Sequence, residues 1–141
     1  MSQENIKRWR EWVRLFNTRD IEALIALCDP AIEFHSVFAA VGGAVYHGHD
    51  GLRKWHRDLE EAWGADISLD IEAYFDRGEN TLTFLTYRAR GRHSGADVTT
   101  PATSVANWGG GLVTCVKVYL HREDALNDLG ASEDELEPIK P

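Results

Sequence analysis

The sequence predicts an α+β domain in which N-terminal helices cover a curved antiparallel sheet, the two together forming a cone with an apolar, aromatic-lined interior. Three observations carry the prediction. Apolar residues recur at helical spacing in segments before residue 64, the period changes to two between Ile67 and His121, and the turns in that second half are three or four residues long. Connections that short make neighbouring strands antiparallel, and a long twisted meander buries its apolar face by curling around the helices that precede it.

In residues 3–17, Ile6, Trp9, Val13 and Phe16 form one stripe while Lys7, Arg8, Arg10, Glu11 and Arg14 fill the other faces, the pattern of an amphipathic helix. Asn17-Thr18-Arg19-Asp20 interrupts it and caps a second helix, where Ile21, Leu24, Ile25 and Cys28 line one side until Asp29-Pro30 stops it. Residues 31–36 read as a first strand. Residues 37–48 read as a loop, and an apolar one. Phe38, Val41, Val45 and Tyr46 are poorly placed in water, so this segment is expected to lie over the core, a pocket mouth or a partner subunit.

After Gly48 a third helix carries Leu52, Trp55, His56, Leu59, Ala62 and Trp63 at helical offsets, and Gly64 ends it. Four strands follow, at 67–75, 81–91, 98–108 and 112–121, separated by Arg77-Gly78-Glu79-Asn80, His93-Ser94-Gly95-Ala96 and Gly109-Gly110-Gly111. A short helix at 122–130 completes a single domain of residues 1–130, and 131–141 reads as an acidic tail without structure.

A chain of 141 residues suits one domain that buries a core without staples. Its formal charge is −8 at pH 7, and the tail contributes part of this through Glu133, Asp134, Glu135 and Glu137 against Lys140. The body is acidic as well and repels phosphate backbones, so nucleic acid is not an expected partner. No stretch approaches the roughly 18 apolar residues of a membrane span, and the start MSQENIKRWREW has no apolar run of signal-peptide length. Cys28 and Cys115 are too few and too far apart for a disulfide framework or a zinc ribbon. Both sit in apolar patterns, which reads as two buried free thiols in a cytoplasmic protein.

Three passages carry a resemblance to a known family: FNTRDIEALIALCDPAIEFHS (16–36), VYHGHDGLRKWHRDLEEAW (45–63) and GGGLVTCVKVYLHREDAL (109–126). Their order resembles the nuclear transport factor 2-like superfamily, with its cystatin-like α+β barrel, and within it the SnoaL-like branch, over about residues 5–130. The resemblance implies a cone that takes a small molecule, and pairing of two copies through the outer face of the sheet. It names no single reaction, since the superfamily holds isomerases, cyclases, dehydratases, epoxide hydrolases, transport factors and non-catalytic subunits.

The ketosteroid isomerases of that superfamily use a tyrosine late in the first helix, an aspartate at the end of the first strand and a protonated aspartate in a later strand. The resemblance sets these positions near Trp12, His35 and Thr103, none of which is the isomerase residue. A threonine hydroxyl is a much weaker donor to an oxyanion than a buried aspartic acid, which argues against a matching isomerisation. What survives is His35 at the position of the base, since a neutral imidazole in an apolar pocket accepts a proton near pH 7.

Glu33 shares a strand face with His35, because side chains alternate with period two. Both polar groups point into the cone in one phase of this strand; in the other, Ile32 and Phe34 do, and the two phases stay open here. Trp12, Tyr46 and Trp55 are the candidate pocket walls, with Thr103 and Glu33 as further substrate-binding candidates.

His47, His49 and His56 lack the fixed spacing and supporting partners of a zinc site and are read as a solvated loop and helix start, with no metal. Arg88, Arg90 and Arg92 share a strand face that reads as solvated or subunit-facing; pairing them with Asp70 or Asp97 as in the epoxide hydrolases is not compelled by spacing. Cys115, Lys117, Tyr119 and His121 lie on one face of their strand as a candidate dimer surface.

The resulting expectation is a protein that binds an apolar small molecule. Either it is an isomerase, cyclase or lyase that needs no cofactor and uses His35 as general base, or it is a non-catalytic binder or dimeric scaffold. A binder has an apolar interior, whereas an enzyme brings a polar group onto the ligand.

Overall fold

The N-terminal amphipathic stripe forms helix α1 (Ser2–Asn17), and Asp20 caps helix α2 (Ile21–Ile25) by accepting a hydrogen bond from the Ala23 amide. The computed structural model describes residues 2–37, 44–90 and 97–141. In it the chain continues as β1 (Cys28–Ser36), β2 (Ala44–His47), α3 (Gly48–Trp63), β3 (Ser68–Asp76), β4 (Asn80–Arg90), β5 (Asp97–Gly109), β6 (Leu112–Tyr119) and α4 (Arg122–Leu129). The strands form one curved sheet of order β2-β1-β6-β5-β4-β3, whose two edges do not meet. Among the described residues no helix is long and apolar enough to cross a membrane.

From β3 to β6 the sheet is the antiparallel meander that the period-two pattern implies. The β5–β6 connection narrows to Gly110-Gly111, with φ of +59° and +82°, backbone angles of a type I′ hairpin that favour glycine. The first strand departs from the meander. It runs parallel to β6, with Phe34 opposite Val116, and antiparallel to β2, with Phe34 opposite Tyr46.

Two sequence expectations are revised here. Asp29-Pro30 does not end a helix but lies inside β1, in the stretch between Cys28 and Glu33 where the register with β6 shifts; a residue without an N–H is tolerated at such an irregularity. The apolar stretch read as a loop contains a strand, β2, while Phe38 and Val41 lie outside the described residues.

The sheet carries a core on each face. On the concave face α1 and α3 pack against Ile32, Phe34, Leu85, Tyr87, Val113 and Val116. Asn17 pins α1 to the sheet by exchanging two hydrogen bonds with the Leu69 backbone, at 3.0 and 2.8 Å. On the outer face Phe75, Leu82, Phe84 and Val105 are covered by Ala125 of α4.

The acidic tail is part of this cover. Ile139 exchanges both backbone hydrogen bonds with Tyr74 (3.0 and 2.7 Å), and Leu136 packs on the outer core. Arg10 donates to the Lys140 carbonyl at 2.6 Å, and Arg122 reaches Glu72 (2.8 Å) and Glu133 (3.0 Å) from 3.6 Å above the Phe84 ring. Composition suggested no structure here. The physical reason for it is that β3 is an edge strand, whose free N–H and C=O groups offer a pairing site.

Candidate functional site: the interior of the cone

The phase of β1 decides what faces the interior. Ile32 and Phe34 are 0% and 1% exposed on the helix side, so Glu33 and His35 point outward, their side chains 49% and 33% exposed. His35 Nε2 lies 2.8 Å from Glu33 Oε1 on that outer face. Phe34 is gripped by Trp55, with centroids 4.3 Å apart, and lies within 9° of parallel to Trp12 at 6.3 Å. Burying this ring is favourable, whereas burying the imidazole and carboxylate instead would carry a desolvation cost. The expectation that His35 acts as a base inside the cone, with Glu33 beside it, therefore loses its geometric premise.

Thr103 is displaced in the same way. It lies opposite Phe84 and Tyr119 and is buried on the outer face. Ser104, opposite Thr83 and Val118, faces inward with Ala102 and Ala106 and borders the interior void. A shift of one position in reading a strand exchanges its faces.

Among the aromatic candidates, Trp12 lines the interior void, while Trp55 stands behind Phe34 in the packed core. Tyr46 faces α3, donating its hydroxyl to Asp58 at 2.8 Å with the Lys54 ammonium 5.5 Å from its ring. Burial, with Asp58 adding to it, pushes the Tyr46 hydroxyl up to about 12. The Lys54 and Tyr46 hydrogen bonds hold the Asp58 carboxyl below its usual range.

The void itself is about 20 Å³ and is bordered by twelve residues from α1, β1, β3, β4, β5 and β6. That is room for about one water, against the several hundred Å³ of a typical ligand site. The open apolar pocket expected from the sequence is instead filled by stacked rings: Trp9 on Trp12 (4.6 Å, 19°) and Trp12 beside Phe16 (6.1 Å, 11°).

No carboxylate, imidazole, ammonium or guanidinium occurs among the twelve lining residues; their polar groups are Thr83, Tyr87, Ser104 and two indoles. Trp9 Nε1 donates to Thr83 Oγ1 at 2.9 Å. The buried indole nitrogens of Trp12 and Trp55 have no hydrogen-bond partner among the described residues. Burial pushes the Tyr87 hydroxyl well above its usual value and the Cys28 thiol up to about 12, so neither ionises near neutral pH. Ile71 is the one lining residue that is only half-buried. It sits on edge strand β3 beside a bulge in the pairing with β4, so the wall is thinnest there.

The remaining candidates are brought together elsewhere or not at all. Arg88 pairs with Asp70 (2.7 Å) and Arg90 with Asp97 (3.7 Å), all four about half-exposed; Arg92 lies outside the described residues. His49 Nε2 donates to the Cys28 carbonyl (2.9 Å), His56 lies 3.2 Å from Glu60, and His47 is exposed on β2, so the three imidazoles do not converge. Tyr119 donates to Asp128 of α4 at 2.7 Å, which covers part of the suggested dimer face. The interior hydroxyls of Thr83 and Ser104 were missed in the sequence. Their signal is that residues 81–85 and 102–106 hold no charged or amide side chain, the pattern of strands covered on both faces.

A family model described as a SnoaL-like domain matches residues 9–116. No curated protein matches the chain. Among solved structures, an NTF2-like protein of unknown function from Burkholderia pseudomallei K96243 is similar, with TM-score 0.75 and 19% identity over 88% of this chain and 95% of that one. A Mycobacterium tuberculosis protein in complex with estradiol-17beta-hemisuccinate gives TM-score 0.70 and 12% identity, over 85% and 95% of the two chains. SalBIII, described as an epoxide hydrolase/cyclase-like enzyme in pyran ring formation in the polyether salinomycin, gives 0.69 and 16%, over 86% and 94%.

Proposed function

The chain belongs to the SnoaL-like domain family, and on that premise we propose that it binds a small apolar molecule inside the cone and releases it unchanged. One observation carries this reading: the described walls of the void hold rings, aliphatic side chains and hydroxyls, but no group that accepts a proton near neutral pH. An apolar lining with few polar groups is the make-up of a small-molecule site. That the distant structural relative from M. tuberculosis is in complex with a steroid hemisuccinate supports the choice of a ligand with a large apolar body. Entry displaces part of the aromatic packing, most readily past Ile71.

The test is a tryptophan-fluorescence titration with neutral aromatic compounds and steroids, followed by mass spectrometry of the recovered ligand. Saturable quenching with the ligand recovered intact is the expected result. Conversion to a new compound above a buffer control overturns the non-catalytic part and returns the chain to the cyclase, isomerase or lyase class.

A second reading is a dimeric scaffold with a residual cone, and the small volume of the void favours it. The outer face of β2, β1 and β6 outside α4 presents Glu33, His35, Val45 and Lys117, and a two-fold axis can set Glu33 of one copy against Lys117 of the other. A sedimenting dimer that Lys117→Glu dissociates, with no ligand bound, supports the scaffold; a monomer removes it.

A further inference from the structure

We infer that the hollow at the turn end of the sheet is a second binding site, separate from the cone interior, and that it takes an uncharged carboxamide carried on a flat ring. The inference goes beyond the binding reading above and does not depend on it. The hollow is about 330 Å³, the size of a small ligand site, and opens between the first turn of α1, the Gly78-Glu79 turn, Trp108 and the Gly109-Gly110-Gly111 turn. None of these residues borders the interior void.

Asn5 singles the place out. It is 6% exposed, and its side chain makes no hydrogen bond to a described residue. Its amide is nevertheless not sealed in. The described side-chain atoms that are both unpartnered and closed to solvent belong to Trp12, Trp55 and Asn80, so the Asn5 amide is reached from the hollow it borders. An amide withdrawn from bulk water without a partner is unfavourable, and a ligand that supplies the partner recovers that free energy on binding. A primary carboxamide answers both polar atoms at once, donating to the Asn5 oxygen while accepting from the nitrogen.

The other walls set shape and charge. The half-buried Trp108 ring is fixed by an edge-on contact with Trp9 (6.4 Å, 87°) and by its indole hydrogen bond to Thr81 (3.0 Å), and a flat ring gains contact area against it. Glycines in the neighbouring turn put no side chain between ligand and backbone. An anion would meet the Glu79 carboxylate, and a cation the Arg8 guanidinium, which lies 3.4 Å from where a Gly111 side chain would begin.

Benzamide tests this against methyl benzoate, which accepts but does not donate, and against benzoate and benzylamine, which are charged. Titration into the isotope-labelled full chain, followed through backbone amide and indole shifts, reads both affinity and place. Benzamide is expected to shift Asn5, Gly110, Gly111 and the Trp108 indole saturably, and to bind about fivefold more tightly than methyl benzoate, the contribution of one hydrogen bond. In Asn5→Leu, which keeps the size of the side chain, that preference is expected to vanish.

Equal binding of benzamide and methyl benzoate by the wild type overturns the carboxamide assignment, and tighter binding of either ion overturns the uncharged part. Shifts confined to the Trp12 indole of the interior, or no saturation, overturn the site, while the cone reading is judged separately by its own neutral panel. A preference that survives in Asn5→Leu overturns the role of Asn5. The wild-type comparison stands without a variant if Asn5→Leu does not fold.

Discussion

Replacing Phe34 and His35 in turn by alanine tests the strand phase on which the site depends. Phe34 is 1% exposed, 4.3 Å from the Trp55 centroid and parallel to Trp12. Removing a ring from such a position costs about 3–5 kcal/mol through lost burial and an unfilled cavity. For a domain of this length each kcal/mol lowers the melting temperature by roughly 3–4 °C, so Phe34→Ala is expected to melt about 9–20 °C lower. His35 makes a half-exposed contact with Glu33 at 2.8 Å, and pairs of that kind contribute about 0–1 kcal/mol. His35→Ala is therefore expected to shift melting by less than about 4 °C. Urea titration followed by far-UV circular dichroism, with calorimetry alongside, measures both. If His35→Ala is the more damaging substitution, His35 faces the core, and a base inside the cone becomes the leading reading again.

Two further outcomes follow from the packing. His56 lies edge-on to Phe16 and Trp55, and burial holds its pKa below 6.5 although Glu60 pulls it upward. The unfolded chain then takes up the proton at the higher pH, so stability is complete above 6.5 and declines as pH falls through 6.5 toward the folded value. The urea midpoint should therefore fall more steeply between pH 7 and 5 (roughly) in the wild type than in His56→Gln; parallel curves would discount His56. Ending the chain after Ser132 removes the Ile139 pairing and the Leu136 contact. The Tyr74 amide should then exchange faster and the β3 edge should promote self-association, whereas unchanged exchange would show that the tail does not protect that edge.

What the sequence by itself determined is the local part of the design. The Ile6, Trp9, Val13, Phe16 stripe and the alternation from β3 to β6 are periodicities within one element, set by 3.6 residues per turn and two per pleat. They were enough for the helices, the meander and, with the three quoted passages, the family. The tertiary structure decided which side of each pleat is inside. EFHS in β1 alternates equally well in either phase, and the choice fell to Phe34 because Trp12 and Trp55, from two separate helices, enclose it.

The same holds for Thr103 and Ser104, whose faces depend on the register with β4, and for the parallel pairing of β1 with β6 across the length of the chain. The size of the void depends on how five large rings stack, and the order in the acidic tail on an edge strand left open elsewhere in the sheet. A period of two establishes that a strand has two faces; only its distant neighbours establish which of them is dry.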